Sequence, residues 1–494
     1  MASNWLAVKS VESLREEARG GDGLKRTLGA FDLIMLGVGV VVGAGIFVVT
    51  GRAAALNAGP AVTLSFVIAG VAAALSGLCY SEMAALMPAA GGTYSYASAT
   101  FGRLAAFLIG WDLILEYLLG AAMVSVSWSG YVLAFLRSTF GIYFPPEWSQ
   151  APVRWDEAQE AFVRTGAYLN LPACLFVLTI TALLIKGIRE SSRVNIGVVV
   201  AKLLAILLFV GFGLQAIDAA HWRPFLPDNT GTFGHFGPSG VMRGASMVFL
   251  AYIGFDAIST AAQEAKEPAR DLPRGILGSL ALCVGLYVVV ALILTGVVPY
   301  GRLAVPHPIA VGIDAIGVGW LTPVVEFGAI AGLTSGAIVM LMGQPRIFLA
   351  MAKDRLFFSF AAEVHERYGT PHRISLLTGG LCALASGLAP IEVLSELVSL
   401  GTLLAFFTVS LGVIVLRRRR PELARPFRVP GGDFAVPLTS AAISGALMCS
   451  MPASTLARVG LWMALGVLFY AFMQRRQRAA GPLAAEDGVA PASQ

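Results

Sequence analysis

Charge is scarce in this chain: of 494 residues only 13% are Asp, Glu, Lys or Arg, while 56% are hydrophobic. A soluble domain carries about 25% charged residues, so this balance excludes an ordinary globular core with a solvated surface. Histidine and cysteine are equally sparse, at five each. Cys79, Cys174, Cys283, Cys382 and Cys449 all fall inside apolar runs with no CxxC spacing, and the histidines sit in loops, so neither a disulfide framework nor a metal site is expected. No phosphate loop is present, and no serine or cysteine is placed with a histidine as a nucleophile, which leaves neither an enzyme nor a cofactor to expect. The net charge of +5 is too small to point to nucleic acid. A signal peptide is excluded too, because residues 1–29 carry Lys9, Glu12, Arg15, Glu16, Glu17, Arg19, Lys25 and Arg26 without a continuous apolar core. Around Trp5, Leu6, Val8, Val11 and Leu14 this segment reads either as a short surface helix or as a weakly ordered tail.

Long apolar runs are what the chain has instead. At 1.5 Å per helical residue, about twelve of them are long enough to span a bilayer. They lie near 30–51, 61–87, 102–136, 170–187, 194–219, 239–262, 275–299, 322–352, 373–390, 394–416, 434–451 and 457–474. The expected fold class is an all-α polytopic membrane protein. Lys186, Arg189, Arg193, Lys266, Arg270, Arg274 and the run Arg417 to Arg420 fall in loops on the side of the N-terminus, so both termini are expected in the cytoplasm. Residues 137–169 are expected as an outer loop with a short interfacial helix at 155–164, and the tail 479–494 as disordered.

Two of these segments are broken by glycine at corresponding places. Gly43-Ala44-Gly45-Ile46-Phe47 interrupts the first span, and Ala251-Tyr252-Ile253-Gly254-Phe255-Asp256 the sixth. Backbone groups freed at mid-bilayer cannot be satisfied by lipid and survive only where they line a cavity. Freed amides can hold a carboxylate and freed carbonyls an ammonium. One break alone could be helix packing; the matching pair indicates an inverted repeat, with repeats at 30–219 and 238–416, two further helices at 434–474 and the substrate at the repeat interface.

Ionisable residues inside the spans form a second signal, since each is costly in hydrocarbon. Lys202 lies about 13 Å along a helix from Arg193. Burial disfavours its charged form, which makes it a candidate for proton coupling; the alternative is that it remains charged and only ties the fifth span to carbonyls of the first. Glu116 is a candidate proton carrier, with Asp112 one turn earlier as a competitor. Asp256 follows the second break and could either take part in coupling or brace the broken helix through backbone amides. The alternating charges Glu264 to Arg274 suggest an ion-pair latch with Arg346, Lys353 or Asp354, or simply a solvated loop.

The motif Gly37 to Phe47, the run Tyr80-Ser81-Glu82-Met83-Ala84 followed by Pro88 and Gly91-Gly92, and Phe249 to Asp256 leading into Gln263 to Pro268 resemble the cationic amino acid transporter family of the amino acid, polyamine and organocation superfamily. The resemblance implies a leucine-transporter type fold of five plus five helices and two more, working by alternating access. It places the substrate carboxylate on amides around Gly43, Ala44 and Gly45, and its ammonium on carbonyls of Val41, Leu250, Ala251 and Ile253. It also aligns Lys202 with a lysine that fills the sodium position of sodium-coupled relatives, and Glu116 with an acidic position on the proton path. Leu250 departs from the phenylalanine of many relatives, so Phe249 or Phe255 would have to supply an aromatic lid. Met340 stands where arginine carriers tend to have a small residue, and its bulk favours small neutral substrates. A cationic side chain would find acidic partners only in Asp112, Glu116 and Glu326.

The expectation is therefore a proton-coupled carrier of small neutral amino acids such as alanine in a bacterial inner membrane, with cationic amino acids as the alternative substrate. Its partners would be an amino acid, protons and the lipid bilayer; a small membrane subunit stays open. A membrane amino-acid sensor or a channel is the rival class, although a channel would require a polar pore and rings of like charge.

Overall fold

The computed structural model describes residues 8–12, 28–43, 45–88, 92–156, 161–187, 192–256, 258, 265–305, 307–366 and 368–479. Helix α1 (Ala30–Val41) leads through a π-helical turn (Gly45–Val49) into the short α2 (Thr50–Ala53), followed by α3 (Val62–Leu86), α4 (Gly92–Thr100) and α5 (Arg103–Phe140). Two strands, β1 (Val153–Asp156) and β2 (Ala161–Arg164), precede α6 (Leu171–Ile185), α7 (Ser192–Gly213) and α8 (Gly237–Val248). The remainder comprises α9 (Pro268–Val297), α10 (Pro308–Ile316), α11 (Leu321–Lys353), α12 (His372–Leu388), α13 (Ile391–Arg419), α14 (Ala435–Cys449) and α15 (Ala453–Ala479).

Among the described residues, six helical stretches are long and apolar enough to cross a membrane, and three shorter apolar helices accompany them. Their outer faces explain the composition. Leu376, Leu381 and Leu384 on α12 and Leu461, Leu465 and Leu468 on α15 are exposed, an arrangement water would penalise and hydrocarbon does not.

With lipid outside, helices adhere through close packing, and small residues permit it. One such seam joins α5 and α11. A Cβ added at Gly110 would lie 2.9 Å from Met351 Sδ, and one at Gly120 2.9 Å from Met340 Sδ. Farther along, Trp128 Nε1 donates to Thr334 Oγ1 at 3.0 Å. Numbers that rise on α5 fall on α11, so the two helices run antiparallel.

Ion pairs close both ends of α13. Near its C-terminal end, Arg417 clamps the Glu82 carboxylate with two hydrogen bonds, that from Nε at 3.0 Å, and the Val429 amide adds a third at 2.8 Å. At its start, Arg52 of α2 pairs with Glu392 at 2.7 Å.

The segment expected as an interfacial helix at 155–164 is a β-hairpin over its described residues. Val153 pairs with Arg164 and Trp155 with Phe162. The Trp155 and Phe162 rings lie 4.9 Å apart on one face, and Arg458 of α15 covers the Trp155 ring at 4.4 Å. This cross-strand aromatic pair, capped by a cation, favours the extended form. The possible surface helix around residues 5–14 lies largely outside the described residues, as does the tail beyond 479.

Candidate functional site

The first interruption begins where α1 ends. Val42 leaves helical geometry with φ −74° and ψ 88°, and the chain resumes as the π-helical turn from Gly45. The second begins after α8, where Phe249–Tyr252 form a 3-10 turn and Ile253 is extended at ψ 139°. Gly254 then takes φ +112°, which side-chain-bearing residues rarely adopt, and a Cβ there would strike Val40, in the last turn of α1 before the first interruption. The two breaks face each other directly: Gly45 packs on the backbone of Ala251, and a Cβ at Gly45 would overlap Ala251 Cα. Two sequence-distant interruptions thus meet at one point, with Gly43, Gly45, Val41, Leu250, Ala251 and Ile253 brought together and all buried. Ala44 lies outside the described residues.

Polar side chains from neighbouring helices satisfy much of the broken backbone. Lys202 on α7 is fully buried and donates to the carbonyls of Gly39 and, at 2.8 Å, Val42. Gly332 of α11 leaves room for its stem; a Cβ there would stand 3.1 Å from Lys202 Cδ. Tyr287 donates to the Val41 carbonyl at 2.6 Å and Tyr131 to the Phe47 carbonyl at 2.7 Å. Val41 therefore already carries one donor, with a second lone pair remaining for a ligand. Of the two roles open to Lys202 from sequence, the bond to first-span carbonyls is present.

Three carboxyls were expected near the breaks, and Asp256 lies at the second one. Asp112 is fully buried, neither of its oxygens has a hydrogen-bond partner among the described residues, and it lies against Gly401, where a Cβ would stand 3.1 Å from Oδ1. Glu116 is buried, and its Oε2 has no hydrogen-bond partner among the described residues. Asp256 accepts the Gly254 amide at 3.1 Å and so braces the second break. Glu326 stands apart, accepting from Ser138 at 2.6 Å. Met340 is half-buried with its sulfur against Gly120.

Phe249 and Phe255 both turn into the core around Phe406 of α13, at 5.4 and 4.8 Å between ring centroids. Of the residues expected in the latch, two have other partners among the described residues. Asp354 pairs with Lys9 at 3.3 Å and accepts from Tyr94 at 2.6 Å, while Arg270 faces Glu267 at 3.6 Å. Segment 265–266 is held by backbone instead, the Lys266 amide donating to the Leu28 carbonyl at 2.8 Å; Glu264 lies outside the described residues. Tyr131 and Tyr287 were missed from sequence. The available signal was a phenol inside an apolar span, which must find an acceptor there.

A profile of the amino acid permease family matches residues 28–476. The branched-chain amino acid permease BcaP of Bacillus subtilis (strain 168) is 41% identical over 477 residues, which cover 96% of this chain and 99% of that protein. The methylthioribose transporter of the same organism is 40% identical over 474 residues, 96% of this chain and 98% of the relative. Cationic amino acid transporter 9, chloroplastic, of Arabidopsis thaliana is 38% identical over 398 residues, 80% of this chain and 67% of the relative.

Proposed function

Because the chain belongs to the amino acid permease family, we propose that it is a proton-coupled secondary transporter that moves small neutral L-amino acids, alanine first, by alternating access. The observation that carries this reading is the meeting of the two breaks at Gly45 and Ala251, with Lys202 seated on the carbonyls of Gly39 and Val42. Backbone amides of the first break would take the substrate carboxylate, and carbonyls of Val41, Leu250, Ala251 and Ile253 its ammonium. Leu250 and Met340 would wall the side-chain space with apolar surface, which suits a neutral substrate. The relative named for branched-chain amino acids supports an apolar side chain.

The repeats run over 30–219 and 238–416, with the helices of 434–474 added outside them. Both termini face the cytoplasm, by the placement of basic loops, and the protein resides in a bacterial inner membrane. Lys202 exchanges its proton between the two access states; Glu116 and Asp256 complete the proton route. A second reading, cationic substrates, is favoured by Glu116 Oε2, which is buried with no hydrogen-bond partner among the described residues and could receive a guanidinium.

Reconstituted Lys202→Ala tests the coupling. It should lose accumulation of labelled alanine driven by an inward proton gradient while keeping alanine exchange. Gradient-driven accumulation equal to the wild type would remove Lys202 from the coupling route.

A further inference from the structure

At the end of the bundle that carries Arg417, a cavity of 370 Å³ opens between the N-terminal segment, α4, α5 and the end of α11. Four cations line it, Lys9, Arg103, Lys353 and Arg355, against the carboxylate of Asp354. That carboxylate is already engaged by Lys9 and Tyr94, and Arg103 is fixed in the wall by a 3.0 Å bond to the Asp354 carbonyl. Lys353 and Arg355 are exposed at the mouth. Arg355 is held at φ +58°, a left-handed conformation uncommon for a residue with a side chain; strain of this kind concentrates at ligand sites.

Helix α15 brings an apolar surface to the same place. Its exposed Leu461, Leu465, Leu468 and Phe472 recur at helical spacing and so form one stripe, which Arg475 and Arg476 continue by a turn. Gln477 at that end donates to the Arg355 carbonyl, and the Arg476 guanidinium sits 5.3 Å over the Phe358 ring. Cations at helix ends follow from topology alone. Here they converge from several elements around one cavity, at the foot of an exposed apolar stripe.

We propose that this cavity and the α15 stripe form a site for one anionic phospholipid, its phosphate against Lys353 and Arg355 and its acyl chain along Leu461 to Phe472. Basic pockets on the cytoplasmic side of membrane helices suit such headgroups. Since Lys9 and Asp354 share the cavity, a bound headgroup holds the N-terminal segment against the end of α11 and favours the conformation in which they are paired. This reading is independent of the substrate and of proton coupling.

The test uses the full-length protein, purified and stripped of lipid, with phosphatidylglycerol, phosphatidylcholine or inorganic phosphate added. Native mass spectrometry counts retained lipid, and thermal melting reports stabilisation. Phosphatidylglycerol should bind and raise Tm, and phosphatidylcholine and inorganic phosphate should not. Lys353→Ala combined with Arg355→Ala should weaken phosphatidylglycerol binding about 25-fold, roughly fivefold per cation removed. Arg475→Ala combined with Arg476→Ala should weaken it similarly, while Arg302→Ala, distant from the cavity, should leave it intact. Unchanged binding in both double variants overturns the site, as does a failure of phosphatidylglycerol to bind. Equal stabilisation by inorganic phosphate overturns the lipid assignment in favour of a free-anion site.

Discussion

Replacing Gly45 with alanine adds one methyl group where the two interruptions touch. An ideal Cβ there overlaps Ala251 Cα and lies 3.1 Å from Ala251 N. The obstacle is backbone, so relief requires the two turns to move apart and cannot come from a rotamer change. Overpacking of this kind costs about 1–3 kcal/mol. If the cost falls on the closed arrangement that holds the substrate, affinity drops about 5- to 150-fold, at 1.4 kcal/mol per factor of ten. Gly43, two residues earlier, supplies the control. A Cβ there meets only the Val40 carbonyl at 3.7 Å, an ordinary contact, and its φ lies outside the left-handed region. Gly43→Ala should therefore change affinity by no more than about fivefold. Titration of both purified variants with labelled alanine measures the difference directly. Wild-type affinity in Gly45→Ala, or a larger loss in Gly43→Ala, would refute the close approach of the two breaks as the basis of the site.

The remaining predictions concern the side chains around that point. Met340→Ser removes the sulfur packed on Gly120 and should extend competition for alanine uptake to arginine and lysine; an unchanged competitor profile takes Met340 out of the pocket. Glu116→Gln should flatten the pH dependence of transport, and an unaltered pH profile would shift the role to Asp112, tested next as Asp112→Asn. Arg417→Ala strips the clamp from a buried Glu82 and should cost about 3–5 kcal/mol, as removal of one partner from a buried ion pair does. Its melting temperature in detergent is the readout, and a wild-type value would show that Arg425, whose Nε lies 3.4 Å from Glu82, and the Val429 amide suffice.

Much of this site was legible because its signals are local. Glycine pairs inside apolar runs mark the breaks, and a lysine or carboxylate far from any loop marks itself by its cost in hydrocarbon. What escaped depends on partners distant in sequence. No local pattern assigns the Tyr287 hydroxyl to the Val41 carbonyl, 246 residues away, or shows that Asp354 will meet Lys9 sooner than the charged segment after the sixth span. The hairpin at 153–164 was misread because its charges at Arg154, Asp156 and Arg164 also fit an amphipathic helix; the Trp155 and Phe162 pair decides for strands only once both are seen on one face with Arg458 above them. Asp256 was ambiguous from sequence, and the bond from the Gly254 amide supplies its bracing role without excluding a second one.

The central claim is that the pair of broken helices serves proton-driven movement of a neutral amino acid. Uptake of labelled alanine and arginine into proteoliposomes, with an imposed inward proton gradient and no sodium, tests it most directly. The account predicts alanine accumulation that a protonophore abolishes, with little arginine uptake. Arginine accumulation without alanine would contradict the substrate assignment, alanine accumulation indifferent to the protonophore would contradict the coupling, and binding of alanine with no uptake at all would make the protein a sensor.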